Sequence, residues 1–289
     1  MNRFLLVSLL IAACTAGLVS AESRTYLGDR AAVTINGAVY AGLLGWSGGE
    51  PRGIVQTNGN KKQIGKVVYD PVVLEVSGVL QAPLAGVVAD FCAGAPAPVA
   101  LLLHATNSPT LEASNAVLTK VEFPALDGAS KESTRIILTF EVSSTRALAG
   151  PAVAIPLGAK GKAALASNFR LTVEGLPSNR IATVSSLVIS RESGKLEVSN
   201  LLISISSADA EAWTQWRDRF LLQGKNSDAQ EKSATLSLLD PAMKNPLVTL
   251  SLSQVGLVRL SRSVGDGERV SRIEAELYVE SVSVAPVTL

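Results

Sequence analysis

The chain has 289 residues, a length that suggests about two domains. Hydrophobic residues make up 47% and charged residues 18%, which argues against a disordered chain and against a highly charged surface protein. Basic and acidic residues nearly balance at 26 and 25, for a net charge of +1. That removes the main sequence argument for nucleic-acid binding, which needs a basic patch or stripe.

The chain opens with a short basic segment, Met1-Asn2-Arg3, then an apolar stretch from Phe4 to Ala13 and small or apolar residues up to Val19-Ser20-Ala21. This is the pattern of an export signal cleaved before Glu22. The alternative is a lipoprotein signal, since Ile11-Ala12-Ala13-Cys14 resembles a lipobox. Against it, the apolar run continues past Cys14 where a polar tether is usual. The expected destination is periplasmic or extracellular, with membrane attachment only through a lipidated Cys14. Cleavage after Ala21 leaves Cys92 as the single cysteine, so no intrachain disulfide is expected.

The remainder repeats itself at a period of roughly 130 to 140 residues. In the first copy Val33-Thr34-Ile35-Asn36-Gly37 reads as a half-buried strand ending in Gly, and Ser47 to Gln63, Gly-rich and poor in apolar residues, reads as a surface loop. Gly65-Lys66-Val67-Val68 opens a β-rich run to Val76. A helix follows from Pro83 to Gly94, with Leu84, Val87, Val88 and Phe91 at helical spacing. Val99 to Leu103, Val117 to Phe123 and a closing strand, Arg135 to Val142, complete the copy.

Residues 148–166, rich in Ala, Gly and Pro, read as a linker. The second copy then runs through the same landmarks. Leu171-Thr172-Val173-Glu174-Gly175 is its first strand, and Gly194-Lys195-Leu196-Glu197-Val198 opens a run to Ile205 with a break near Asn200. A helix capped by Ser206 or Ser207 carries Trp213, Trp216 and Phe220 on one face and stops at Gly224. Strands at Ala234 to Leu239 and Leu247 to Leu260, a loop at Ser261 to Val270 and a closing strand from Arg272 to Val279 end it.

Strands, one helix, then strands is not the alternation of a parallel α/β sheet. The expected fold is mainly β, a barrel or sandwich with one flanking helix per repeat, as two similar domains in tandem. The expected division is a signal peptide over 1–21, a first domain over 22–147, a linker over 148–166 and a second domain over 167–289. A membrane β-barrel is disfavoured by an aromatic content of 4% and by the helices.

No constellation for chemistry emerges. His104 is the only histidine, it ends an apolar strand, and no Gly-x-Ser-x-Gly elbow accompanies it. With Cys92 it falls short of a tetrahedral zinc site. Asp70, Glu75 and Asp90, or Asp209, Glu211 and Asp218, lie where solvated faces explain them. Trp213 and Trp216 fit core packing better than ligand stacking, and Trp46, before the Gly-rich segment, is the aromatic best placed for a binding contact. No catalytic, cofactor-binding or metal residue is assigned, no cofactor is expected, and an enzyme is not the expected function.

The order of strand, Gly-Lys strand, helix ending in Gly and further strands resembles the phage tail-tube proteins and the haemolysin-coregulated tube protein of type VI secretion. Residues 168–284 carry the closer match, with Gly194 to Leu201 leading into the helix and Ala212-Trp213-Thr214-Gln215-Trp216 inside it. Residues 31–145 form a degenerate first copy. The resemblance implies a non-catalytic structural protein that self-associates into rings, and a tandem chain implies a ring built as a trimer. The export signal departs from that family, whose members assemble in the cytoplasm. The alternative function is a monomeric periplasmic or secreted binding module, with a groove between the barrels or at Ser47 to Gln63.

Overall fold

The computed structural model describes residues 31–105, 108–149, 164–192, 194–263 and 271–285. The export signal with Cys14, most of the expected linker and the Gly-Asp-Gly loop fall outside the described residues.

The first half contains strands β1 (Ala31–Ile35), β2 (Ala38–Tyr40), β3 (Leu43–Ser47), β4 (Pro51–Asn58), β5 (Lys61–Tyr69) and β6 (Val72–Ser77). Helix α1 (Leu84–Cys92) follows, then β7 (Val99–Ala105), β8 (Ser108–Phe123), β9 (Leu126–Asp127), β10 (Arg135–Glu141) and β11 (Ser144–Leu148). The second half contains β12 (Phe169–Val173), β13 (Ile181–Val184), β14 (Leu187–Glu192), β15 (Lys195–Val198) and β16 (Leu201–Ser206). Helix α2 (Ala210–Arg217) separates these from β17 (Lys232–Leu239), β18 (Pro246–Ser263) and β19 (Arg272–Ala285).

The strands form because their sequences alternate. In β6, Val72, Leu74 and Val76 are fully buried while Val73, Glu75 and Ser77 face outward. In β16, Leu201, Ile203 and Ile205 do the same against Leu202, Ser204 and Ser206. Among the described residues all pairings are antiparallel, and in the two large sheets one face packs inward while the other is more polar.

The two halves pair their strands in the same way. The order β1-β7-β8-β10-β6-β3 in the first corresponds to β12-β17-β18-β19-β16-β13 in the second. Register agrees as well as order: Arg135 opposes Ser77, and Arg272 opposes Ser206. The irregularities also recur. Asn115 in β8 and Gln254 in β18 adopt positive φ, 49° and 55°, a conformation uncommon for residues other than Gly. Each sits where its strand changes register against its neighbour, as a bulge requires. The long strands can thereby serve different partners along their length: β8 pairs with β7 and β11 near its start and with β10 further on.

Both helices bury equivalent positions. Leu84 and Phe91 of α1 are fully buried, as are Trp213 and, nearly, Phe220 seven residues further along the second helical segment. The expected continuous helix up to Gly224 is divided. A 3-10 turn at Ser207–Asp209 precedes α2, and a π-helical turn at Asp218–Leu222 follows it. The wider turn keeps Phe220 on the side of Trp216, with ring centroids 5.6 Å apart. The expected caps are in place: the Ser206 hydroxyl accepts from Ala208 N–H, and Gly94 and Gly224 take positive φ.

The expectation for the Gly-rich segment fails. Ser47 to Gln63 is not a loop but lies mostly in the hairpin β4–β5, whose strands pair from Pro51–Tyr69 to Asn58–Lys61. Every residue of β4 is exposed, so neither face shows the alternation that marks a half-buried strand. Trp46, expected at a loop base, lies in β3 opposite Leu74 and packs half-buried against the core.

Candidate functional site

The halves are joined by shared strands. β14 of the second half adds to β8 of the first, pairing Leu187 with Phe123, Val188 with Glu122, Ile189 with Val121 and Ser190 with Lys120. Leu187, Ile189, Val121 and Phe123 are buried there. A second pairing sets Thr183 and Val184 of β13 against Asp127 and Leu126 of β9. Helix α1 also packs on β19 of the other half. Beside this joint lies an open cleft of about 660 Å³, with Leu126, Asp127, Thr183, Leu202, Arg259 and Glu274 among its walls.

By the internal correspondence, β4–β5 stands where β14–β15 stands, yet it forms a separate two-stranded sheet. It carries Ile54, Val55, Ile64 and Val67 at 36%, 57%, 60% and 52% exposure. An isolated hairpin is marginal in water, and these four apolar side chains project from it into solvent. A second exposed feature is the far end of β18. From Gly256 to Ser263 that strand pairs with β19 on one side. Among the described residues, no strand pairs with its other edge. Val258, Arg259 and Arg262 are exposed there.

The residues with chemical potential are dispersed. His104 is buried in β7, where its ring nitrogens meet the hydroxyls of Thr34 at 2.9 Å and Thr110 at 3.1 Å. Burial lowers its pKa, which favours the neutral ring. Cys92 is a free buried thiol whose pKa burial pushes up to about 12. Arg52 pairs with Asp70, Arg135 with Glu75, Arg180 with Asp209 and Arg217 with Asp218. Gln215 donates to Glu211, and Asp90 lies on α1. Asp70, Glu75, Asp209, Glu211 and Asp218 each have a cationic or amide partner of their own. Among the described residues no group of acidic, His and Cys side chains could hold a metal ion.

Trp213 and Trp216 pack edge to face at 5.9 Å, and Phe220 and Tyr278 extend the aromatic row. Trp213 Nε1 donates to the Pro177 carbonyl at 3.1 Å. Beside Trp216 a cleft of about 410 Å³ is lined by Glu174, Arg219, Glu231 and Lys232. Lys232 Nζ lies 5.5 Å from the Trp216 ring centroid, and burial lowers its pKa. The Tyr278 hydroxyl donates to Glu231, while Glu231 Oε2 and Trp216 Nε1 are buried without a partner. The first half has a smaller cleft at the equivalent place beside α1, lined by Asn36, Pro83, Val87 and Asp90. Sequence reasoning missed the Tyr278–Glu231 contact. The one signal was Gly256, opposite Tyr278 in the neighbouring strand.

No family model matches the chain, and no curated protein matches it. Among solved structures, the chain is similar to one in the six-fold symmetrised baseplate of the anti-feeding prophage. That alignment has 19% identity and a TM-score of 0.30, over 42% of this chain and 93% of the other. It is also similar to a chain of the sheath-tube complex of an extracellular contractile injection system, PVC, in the extended state. There the identity is 18% and the TM-score 0.31, over 41% of this chain and 88% of the other.

Proposed function

We propose that this protein is an exported, non-catalytic structural component, a tandem of two tail-tube-like β domains over 22–147 and 167–289 that self-associates into rings. The observation that carries the reading is the hairpin β4–β5. It holds four large apolar side chains in solvent, whereas β14 of its counterpart in the second half pairs with β8 and buries Leu187 and Ile189 there. A surface of that kind is explained by a protein partner. The sequence resemblance to tube proteins supplies the ring, and a trimer of tandem chains is the simplest closed form. Signal peptidase cleavage before Glu22 would release the mature chain to the periplasm or the exterior.

The cleft beside the joint supports a second reading, a monomeric binding module. Solution mass separates the two. Light scattering of the mature protein over a range of concentrations, with electron microscopy of any large species, should reveal rings or stacks. A monomer at every concentration would overturn self-association and leave the binding module.

A further inference from the structure

We propose that the joint between chains repeats the joint within the chain: the hairpin β4–β5 of one copy adds, in a second copy, to the edge of β18 that no described strand pairs. The inference rests on the self-association proposed above and names the surfaces that carry it.

The register follows from the internal correspondence. In the second half Ser199 N–H donates to Val188 carbonyl, and Ile189 opposes Val198. In the first half Asp70 N–H donates to Glu50 carbonyl, and Pro51 opposes Tyr69. Pro51 therefore stands where Ile189 stands, and Arg52 where Ser190 stands. On the receiving strand, β8 sets Lys120 against Thr139 and Val121 against Leu138, just past its shift in register. β18 sets Arg259 against Glu276 and Leu260 against Ala275, just past its own. Leu260 stands where Val121 stands, and Arg259 where Lys120 stands.

Transferred between chains, the in-chain pairs Ile189–Val121 and Ser190–Lys120 become Pro51–Leu260 and Arg52–Arg259. The two arginines do not meet uncompensated. Arg52 is paired with Asp70 at 3.1 Å and Arg259 with Glu276 at 3.5 Å in their own chains. Pro51 brings no N–H to the new ladder, so the joint between chains is weaker than the one within the chain.

The helices agree with the same arrangement. In the first half α1 packs on β19 of the second half, and Cys92 near its end is buried. The equivalent position after α2 is Leu221, which is 38% exposed beside Leu222 at 73%. A second copy docked in this register brings its β10 and β11 to that surface. The contact is head to tail, so it closes into a ring or propagates as a filament.

The test is disulfide trapping with the full mature protein. Arg52→Cys and Arg259→Cys are both at exposed sites, and directly opposed strand residues fall within disulfide reach. Mixing the two single variants under mild oxidation should give a covalent dimer. Each variant alone should give none, and a chain carrying both should give a ladder on a non-reducing gel. The pairing of Arg52→Cys with Lys244→Cys, at an exposed turn remote from the edge, measures chance collision. If light scattering shows assembly but the mixed pair cross-links no more than that control, the joint is wrong and self-association stands. If the protein is monomeric at every concentration, both fall.

Discussion

Gly256 lies in β18 directly opposite Tyr278 in β19, and a Cβ at Gly256 would overlap the Tyr278 ring and hydroxyl. The ring cannot swing freely, because it packs near Phe220 at 6.4 Å and its hydroxyl donates to Glu231. Gly256→Ala should therefore cost about 1–3 kcal/mol in overpacking and about 1–2 kcal/mol more if the hydrogen bond to Glu231 is lost. Removing a glycine from a strand returns about 0.5–1 kcal/mol. The net expectation is a loss of about 2–4 kcal/mol. Urea unfolding with linear extrapolation measures it. The same substitution made together with Tyr278→Ala, which removes the obstructing ring, should be neutral or slightly stabilising, a coupling that a double-mutant cycle reports directly. An equal cost in both backgrounds would refute the argument that the ring occupies the space above Gly256.

Val55→Thr with Ile64→Thr, a directly opposed pair on the hairpin, should leave chain stability within about 0.5 kcal/mol, as for exposed sites. It should lower the assembled fraction by light scattering; unchanged assembly would contradict a role for this hairpin. Trp213→Ala removes a fully buried indole and its bond to Pro177 and should cost about 3–5 kcal/mol in chemical denaturation. Burial depresses the His104 pKa, so the unfolded chain takes up a proton that the folded chain resists. Stability should be full above about pH 6.5 and fall as pH drops toward the folded pKa, by at most about 1.4 kcal/mol per pH unit. His104→Gln should flatten that slope between about pH 7 and 5.5, and an unchanged slope would assign it to other groups. Cys92 should resist iodoacetamide at pH 8 in the native protein, given a thiol pushed up to about 12, and label fully in denaturant.

The strands and helices of the two halves were legible in the sequence where burial imposes a pattern. Val72, Leu74 and Val76 against Leu201, Ile203 and Ile205 alternate with polar neighbours, and Leu84 and Phe91 mirror Trp213 and Phe220. The break expected near Asn200 falls between β15 and β16. Less was legible where burial gives no pattern. The hairpin β4–β5 is solvent-exposed over nearly all its length, so its strands leave no period-two signal. The length of β8 was underestimated because the bulge at Asn115 shifts the alternation part-way along. The joint of β14 with β8 was invisible for a different reason. Strand pairing between distant segments depends on edges meeting, and the alternation within a strand does not name the strand it will pair with.

That joint bears on the order in which the chain can fold. Val121 and Phe123 are made early, but the strand that covers their edge begins at Leu187. Until residues 187–192 emerge, the amino-terminal half holds an unpaired apolar edge of the sort that templates aggregation. Long-range strand pairing of this kind is slow to form. A chain delivered amino terminus first is therefore most vulnerable midway, and a product truncated before Leu187 would be left with that edge open for good.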